Sequence, residues 1–216
     1  MKIENIIWDW NGTIVDDAWV FVEVMNDLLK KHNLRTISVS DYKKNFCFPI
    51  EDYWRFLGFR FSKTEFNALN QGFIKKYQKK MFLPKIHNGL KGVLKKINST
   101  KIQQFVLSAS EQGLLNKSVN HYRVSSFFKG VYGVDNLNAK GKLDLGKSLM
   151  LRFKLNPKKT LLIGDTLYDK DVAVGLGCNL LLVSYGHINH MRLMGNDDDI
   201  VSDIESLARF ILQSTD

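Results

Sequence analysis

The 216-residue chain holds only two cysteines, Cys47 and Cys178, far apart and outside any Cys-x-x-Cys pair. Nothing therefore supports a disulfide framework, a thiol redox motif or a cysteine-bound zinc site, and both thiols read as reduced packing residues. Long apolar runs are missing as well, none approaching the roughly 20 residues needed to cross a bilayer. Met1 to Asp9 carries acids at Glu4 and Asp9 and lacks the apolar segment and small-residue cleavage site of a secretory signal. The expectation is a cytoplasmic protein without membrane contact. Internal repeats and low-complexity segments are also absent, which excludes fibrous and disordered classes.

Acidic residues are in deficit, 22 Asp and Glu against 31 Lys and Arg, a formal charge of +9 that suits an anionic partner. Nucleic acid and a small phosphorylated metabolite both qualify. The basic residues fall in short groups along expected helices, such as Lys30-Lys31, Lys95-Lys96 and Lys75-Lys76 with Lys79-Lys80, which reads as solvated faces rather than a nucleic-acid surface. The length suits one catalytic unit, a monomer or homodimer, with room for a core and a smaller insert.

Ile3 to Trp8 is a short apolar run that ends in Asp9 and the turn formers Asn11-Gly12, the pattern of a buried parallel strand delivering a carboxylate into a loop. From Asp16 to about Lys31, Val20, Val24 and Leu28 recur at helical spacing, with Asp16 and Asp17 suited to the positive N-terminal end. Helices rich in Phe, Tyr, Trp and Lys continue over 39–82, broken at Pro49 and Gly58. After Pro84, strands at Phe105-Val106-Leu107, Val131-Tyr132-Gly133, Thr160 to Ile163 and Leu180 to Val183 alternate with helices near 90–98, 145–154 and 169–176. Such alternation predicts an α/β fold, a doubly wound parallel sheet covered on both faces, with function at the carboxyl ends of the strands. The all-helical stretch interrupts it as an inserted cap, giving a core of 1–16 with 85–216 and a cap of 17–84.

The strand ends carry Asp9 with Asn11 and Thr13, then Ser108, then Asp165 with Asp169. Lys142 and Lys147 open the helix before the last of these, and Lys140 lies close by. A parallel sheet brings such ends to one crevice, so two acids more than 150 residues apart can share a hard cation and a phosphate. Each residue also has a plainer role: Asp169 as a helix cap, Ser108 as a loop serine, Lys142 as a surface lysine.

In order, Ile6-Ile7-Trp8-Asp9-Trp10-Asn11-Gly12-Thr13, Phe105-Val106-Leu107-Ser108, Lys142, and Gly164-Asp165-Thr166-Leu167-Tyr168-Asp169 resemble the four motifs of haloacid dehalogenase-superfamily phosphatases. The helical insert after the first motif resembles the cap of the phosphoglycolate-phosphatase-like branch. The resemblance implies a magnesium-dependent phosphoric monoester hydrolase acting on a small phosphorylated substrate. Asp9 would be the nucleophile that forms an aspartyl-phosphate, and Asp9, Asp165, Asp169 and the backbone carbonyl of Asn11 would hold the metal. Gly12, Thr13, Ser108 and Lys142 would bind the phosphate, with Lys147 or Lys140 as alternatives to Lys142.

One motif position departs from the pattern, since Asn11 stands where the family's acid–base aspartate stands. An amide has no titratable proton near neutral pH, and general acid–base help is worth about 10²–10⁴-fold. The departure favours substrates with good leaving groups, and it opens alternatives: a weakly active or non-catalytic phosphate-binding relative, a phosphonate hydrolase or a phosphotransferase. Lys43, Tyr53, Trp54 and Arg55 are expected contacts from the cap, with packing as the competing role of the aromatics.

Overall fold

The computed structural model describes residues 2–194 and 199–213. Strand β1 (Asn5–Trp8) is followed by four helices, α1 (Ala18–Lys31), α2 (Val39–Asn45), α3 (Ile50–Phe56) and α4 (Lys63–Lys80). The chain then runs through α5 (Leu90–Asn98), β2 (Gln103–Glu111), α6 (Gln112–His121), β3 (Gly130–Val134), α7 (Lys142–Arg152), β4 (Thr160–Gly164) and α8 (Leu167–Leu176). It closes with β5 (Asn179–Val183), α9 (His190–Leu193), β6 (Asp199–Val201) and α10 (Ile204–Gln213). All six strands are parallel, in the order β3-β2-β1-β4-β5-β6.

The apolar runs are continuous because both faces of the sheet are covered. Ile6, Trp8, Val106, Leu161 and Ile163 pack into one core, while Ile7, Phe105, Leu107 and Leu162 pack into another on the opposite face. Alternate residues of one strand thus enter different layers. Trp8 and Trp10, the indoles on either side of Asp9, are packing residues with their N–H groups satisfied by Gln104 and Ser118.

Helices α1 to α4 build a third core around Tyr42, Phe46, Trp54, Phe66 and Phe73, closed from the sheet side by Leu182, Ile188 and Leu193. Capping boxes start two of them, Ser38 with Asp41 before α2 and Ser62 with Glu65 before α4. Several elements differ from the pattern reading: α7 begins at Lys142 and α8 at Leu167, a few residues earlier than periodicity alone places them. In both cases the first turn mixes apolar with charged residues, Leu143 with Lys142 and Asp144 in α7 and Leu167 with Asp169 and Lys170 in α8, which blurs the periodic signal. No helix of the described residues is long and apolar enough to cross a membrane.

Candidate active site

Strand β1 lies between β2 and β4, so the strand order reverses direction there, and ligands of open α/β sheets bind at such a switch point. Trp8 pairs with Ile163 in register, and the Asp9 N–H donates to the Ile163 carbonyl at 2.8 Å. Asp9 and Asp165 therefore leave neighbouring strand ends. With Asp169, in the first turn of α8, they form a buried set in which one carboxylate oxygen from each lies within 4.8 Å of the others.

Gly12 turns the chain out of β1 with φ +77°, and a Cβ there would stand 2.3 Å from both Asp165 Oδ2 and the His187 ring. Only glycine fits both the conformation and the space. Thr13 is fully buried and donates its hydroxyl to Asp165 Oδ1 at 3.0 Å, while the Gly12 N–H donates to Val15 and to Asp17 Oδ1. Both residues thus brace the acids, and neither lines the cavity above them.

Lys142 reaches Asp9 Oδ1 and Asp169 Oδ1, each at 2.5 Å, and is 2% exposed. Lys147 and Lys140 lie outside, the first near Asp144 at 3.8 Å and the second near Glu51 at 3.5 Å. Asp169 is also the N3 acid of a capping box. Its Oδ2 accepts from the Asp165 and Thr166 N–H groups and from the Thr166 hydroxyl, which orients the carboxylate towards Lys142. The capping reading and the site reading of Asp169 are thus satisfied by the same side chain. Ser108 is buried within β2 rather than at its end, since the strand runs on to Glu111, and the pairing with β3 shifts register between Ser108 and Glu111.

Three clustered carboxylates, two of them on the Lys142 ammonium, leave an excess of buried negative charge. Burial pushes Asp9 up to about 8 against the pull of Lys142, and Asp169 and Asp165 add to the rise. Burial likewise carries Asp165 up to about 6. For Lys142, burial opposes the charge but Asp169 and Asp9 outweigh it and hold the ammonium above the ordinary lysine value. A divalent cation relieves this imbalance, and the donors are the hard oxygens that magnesium takes. Two oxygens on one magnesium ion stand at most about 4.2 Å apart, twice its ligand distance. One oxygen from each acid already lies within 4.8 Å of the others, close to that span, so the residues present fit the ion.

Beside the acids lies a second network that pattern reading did not reach. Asn11 donates from Nδ2 to Asp17 Oδ2 at 2.6 Å and to the Tyr77 hydroxyl at 3.0 Å, and accepts from the Ser110 hydroxyl at 2.7 Å. Tyr77 donates to the same Asp17 oxygen at 2.6 Å. His187 lies 3.1 Å from Asp17 Oδ1 through Nε2 and 2.7 Å from the Tyr42 hydroxyl through Nδ1, while its N–H donates to Asp165 Oδ2 at 2.6 Å. Burial works against charge on His187, yet Asp17 prevails and lifts it to about 9. Burial also works against the Asp17 carboxylate, and His187 prevails again and lowers its pKa. Asp17, read as complementing a helix N-terminus, is instead a buried ion-pair partner. Only its position beside the first motif could have signalled this.

A cavity of about 160 Å³ opens above Asp9, Lys142 and Ser108. Trp54 lines it, whereas Tyr53 packs among aromatics, Arg55 lies over the Phe61 ring at 4.4 Å, and Lys43 donates to the Tyr185 carbonyl at 3.0 Å. Of the four expected cap contacts, the structure brings one to the cavity.

A family model described as haloacid dehalogenase-like hydrolase matches residues 6–183. A predicted phosphatase from Clostridium acetobutylicum superposes with a TM-score of 0.85 at 17% identity, covering 99% of this chain and 100% of that one. A haloacid dehalogenase-like family hydrolase from Streptococcus pneumoniae gives 0.79 at 20% identity, covering 96% and 98%. A predicted phosphoglycolate phosphatase from Haemophilus somnus gives 0.77 at 18% identity, covering 100% and 99%. At these identities the structures show the shared fold. Among curated proteins, no sequence matches the chain.

Proposed function

We propose that this chain, which belongs to the haloacid dehalogenase-like hydrolase family, is a phosphatase that hydrolyses a small phosphorylated metabolite through an aspartyl-phosphate, an acyl phosphate formed on Asp9. The observation that carries the reading is the buried meeting of Asp9, Asp165 and Asp169, with Lys142 joining the first and the last. An Asp9 oxygen attacks phosphorus, the bond to the leaving oxygen breaks, and water then displaces Asp9 and releases phosphate. Asp9, Asp165 and the backbone carbonyl of Asn11 would hold magnesium, with Asp169 completing or orienting the shell, and the ion would supply positive charge that lets the anionic phosphate approach Asp9. Lys142 and Ser108 bind phosphoryl oxygens, Lys142 as a point charge and Ser108 as a hydroxyl donor. Gly12 and Thr13 act from behind, by keeping Asp165 in place.

Residues 17–84 serve as the cap, and 1–16 with 85–216 as the catalytic core. The separate core of α1 to α4 supports this division, and the two parts are joined where Arg192 of α9 donates to the Phe46 carbonyl at 2.5 Å and Asn70 of α4 donates to the Leu137 carbonyl at 2.8 Å. Closure of such a cap excludes water from the reaction.

The test is phosphate release from an aryl phosphate in the presence of magnesium. Wild type is expected to release phosphate, and Asp9→Asn to lose at least about 10³-fold, because an amide is not a nucleophile. The three hydrogen bonds that engage Asn11 support a second reading, a phosphate-binding relative without turnover. Inactivity of wild type towards aryl and acyl phosphates alike favours it.

A further inference from the structure

The wall that faces the acids is aromatic and uncharged. Phe21, Phe46, Phe48, Trp54 and Phe73 line the cavity, and Tyr168 from the core side packs at a tilt against Phe48 at 4.7 Å between ring centroids. Among the described residues of α1 to α4 that line the cavity, none carries a charge. No basic residue of these helices lines the cavity, and four of them are engaged elsewhere: Lys76 with Asp27, Lys80 with Glu23, Lys43 with Tyr185 and Arg55 over Phe61. The charged groups of the core that reach the cavity are also engaged. Glu111 accepts from the Gly113 and Leu114 N–H groups, and His187 is paired with Asp17.

A leaving group bearing a carboxylate or a second phosphate would be desolvated there without a counter-charge, which is strongly unfavourable. An uncharged aromatic or aliphatic group would gain by burial and by ring contacts. Position 11 adds an independent constraint. Its amide cannot protonate a departing oxygen, so the leaving group must depart as an anion. A phenol ionises near pKa 10 and does so readily, whereas an alkyl alcohol is closer to water, at about 15.7.

We infer that the substrate is a phosphate monoester of an uncharged phenol or comparably acidic aromatic alcohol, seated against Phe46, Phe48 and Phe73. This rests on the phosphatase reading and names its substrate class. Asp9 forms the new bond to phosphorus as the phosphorus–oxygen bond to the aryl group breaks. The electron pair leaves on the aryl oxygen, which takes its proton from solvent.

Four esters separate the two requirements: phenyl phosphate, benzyl phosphate, 4-carboxyphenyl phosphate and phosphoglycolate. Measured as kcat/KM with magnesium, phenyl phosphate is expected to be the best substrate. Benzyl phosphate should fall by about 10²-fold or more, through kcat. 4-Carboxyphenyl phosphate should fall by about tenfold or more, through KM. Phe48→Arg, which places a cation in the half-buried part of the wall, should recover most of the loss with 4-carboxyphenyl phosphate and leave benzyl phosphate slow. Equal turnover of the charged and uncharged aryl esters, or phosphoglycolate as the best of the four, overturns the inference while leaving the phosphatase reading intact. Release from none of them brings down both.

Discussion

At position 11 an amide stands among Asp17, Tyr77 and Ser110, with its donors and its acceptor engaged. It joins the core to helix α4 at the point where the family motif has an acid. The charge balance beside it falls to Asp17 and His187, and this pair makes stability depend on pH. His187 rises from 6.5 to about 9 on folding, so its contribution is complete below 6.5 and disappears as pH climbs through 9. Asp17 is lowered from 3.8, so its contribution is present above that value and is lost only in acid. The pair therefore stabilises most between about pH 4 and 6.5. Asp9 and Asp165, both raised, also lose stability with rising pH, so the pair is isolated by comparing wild type with Asp17→Asn. In urea unfolding, the advantage of wild type over the variant should shrink by on the order of 3 kcal/mol between pH 6.5 and 9.5. An advantage that stays constant across that range contradicts a charged His187.

Among the elements, β1 and β4 were legible because buried parallel strands read as unbroken apolar runs, and both end in an acid. That these two strands are neighbours was not legible, since strand order depends on crossovers that no local pattern records. The aromatic stretch over 39–82 was readable as helical, but its aromatics serve both as the core of the insert and as the cavity wall, and periodicity does not separate the two. His187 follows β5 in a turn with no periodic signal, and so escaped notice. The fourth motif shows how closely an element end is fitted. A Cβ on Gly164 would lie 2.3 Å from Asp169 Cγ, so Gly164→Ala must displace Asp169 from Lys142 and from its capping box. A loss of about 1–3 kcal/mol is expected, together with most of the turnover. Gly72→Ala in α4, where nothing lies within 4 Å of the new Cβ, should stabilise by up to about 1 kcal/mol. Equal melting temperatures for the two variants would count against the crowding of Asp169.

For the whole molecule, the charge of +9 is dispersed, and pairs such as Lys80 with Glu23 and Lys159 with Glu4 lie on the outside, where each contributes little. The consequential charge is inside, where three acids gather and a single lysine pairs with two of them, Asp9 and Asp169. A cation that binds only the folded chain stabilises it by about 2.7 kcal/mol at a hundred times its dissociation constant. Magnesium is therefore expected to raise the melting temperature by several degrees, about 2–4 °C per kcal/mol for a chain of this size. Asp165→Asn should abolish the shift without any assay of turnover. An equal shift in that variant would place the ion elsewhere.

The phosphoenzyme itself is the most direct test. Wild type mixed with phenyl phosphate and magnesium, quenched in acid within one turnover and digested, is predicted to carry one phosphoryl group on the peptide that contains Asp9. Asp9→Asn should carry none. Phosphate release with no modified Asp9 peptide at any quench time, or with the phosphoryl group on another residue, contradicts the account.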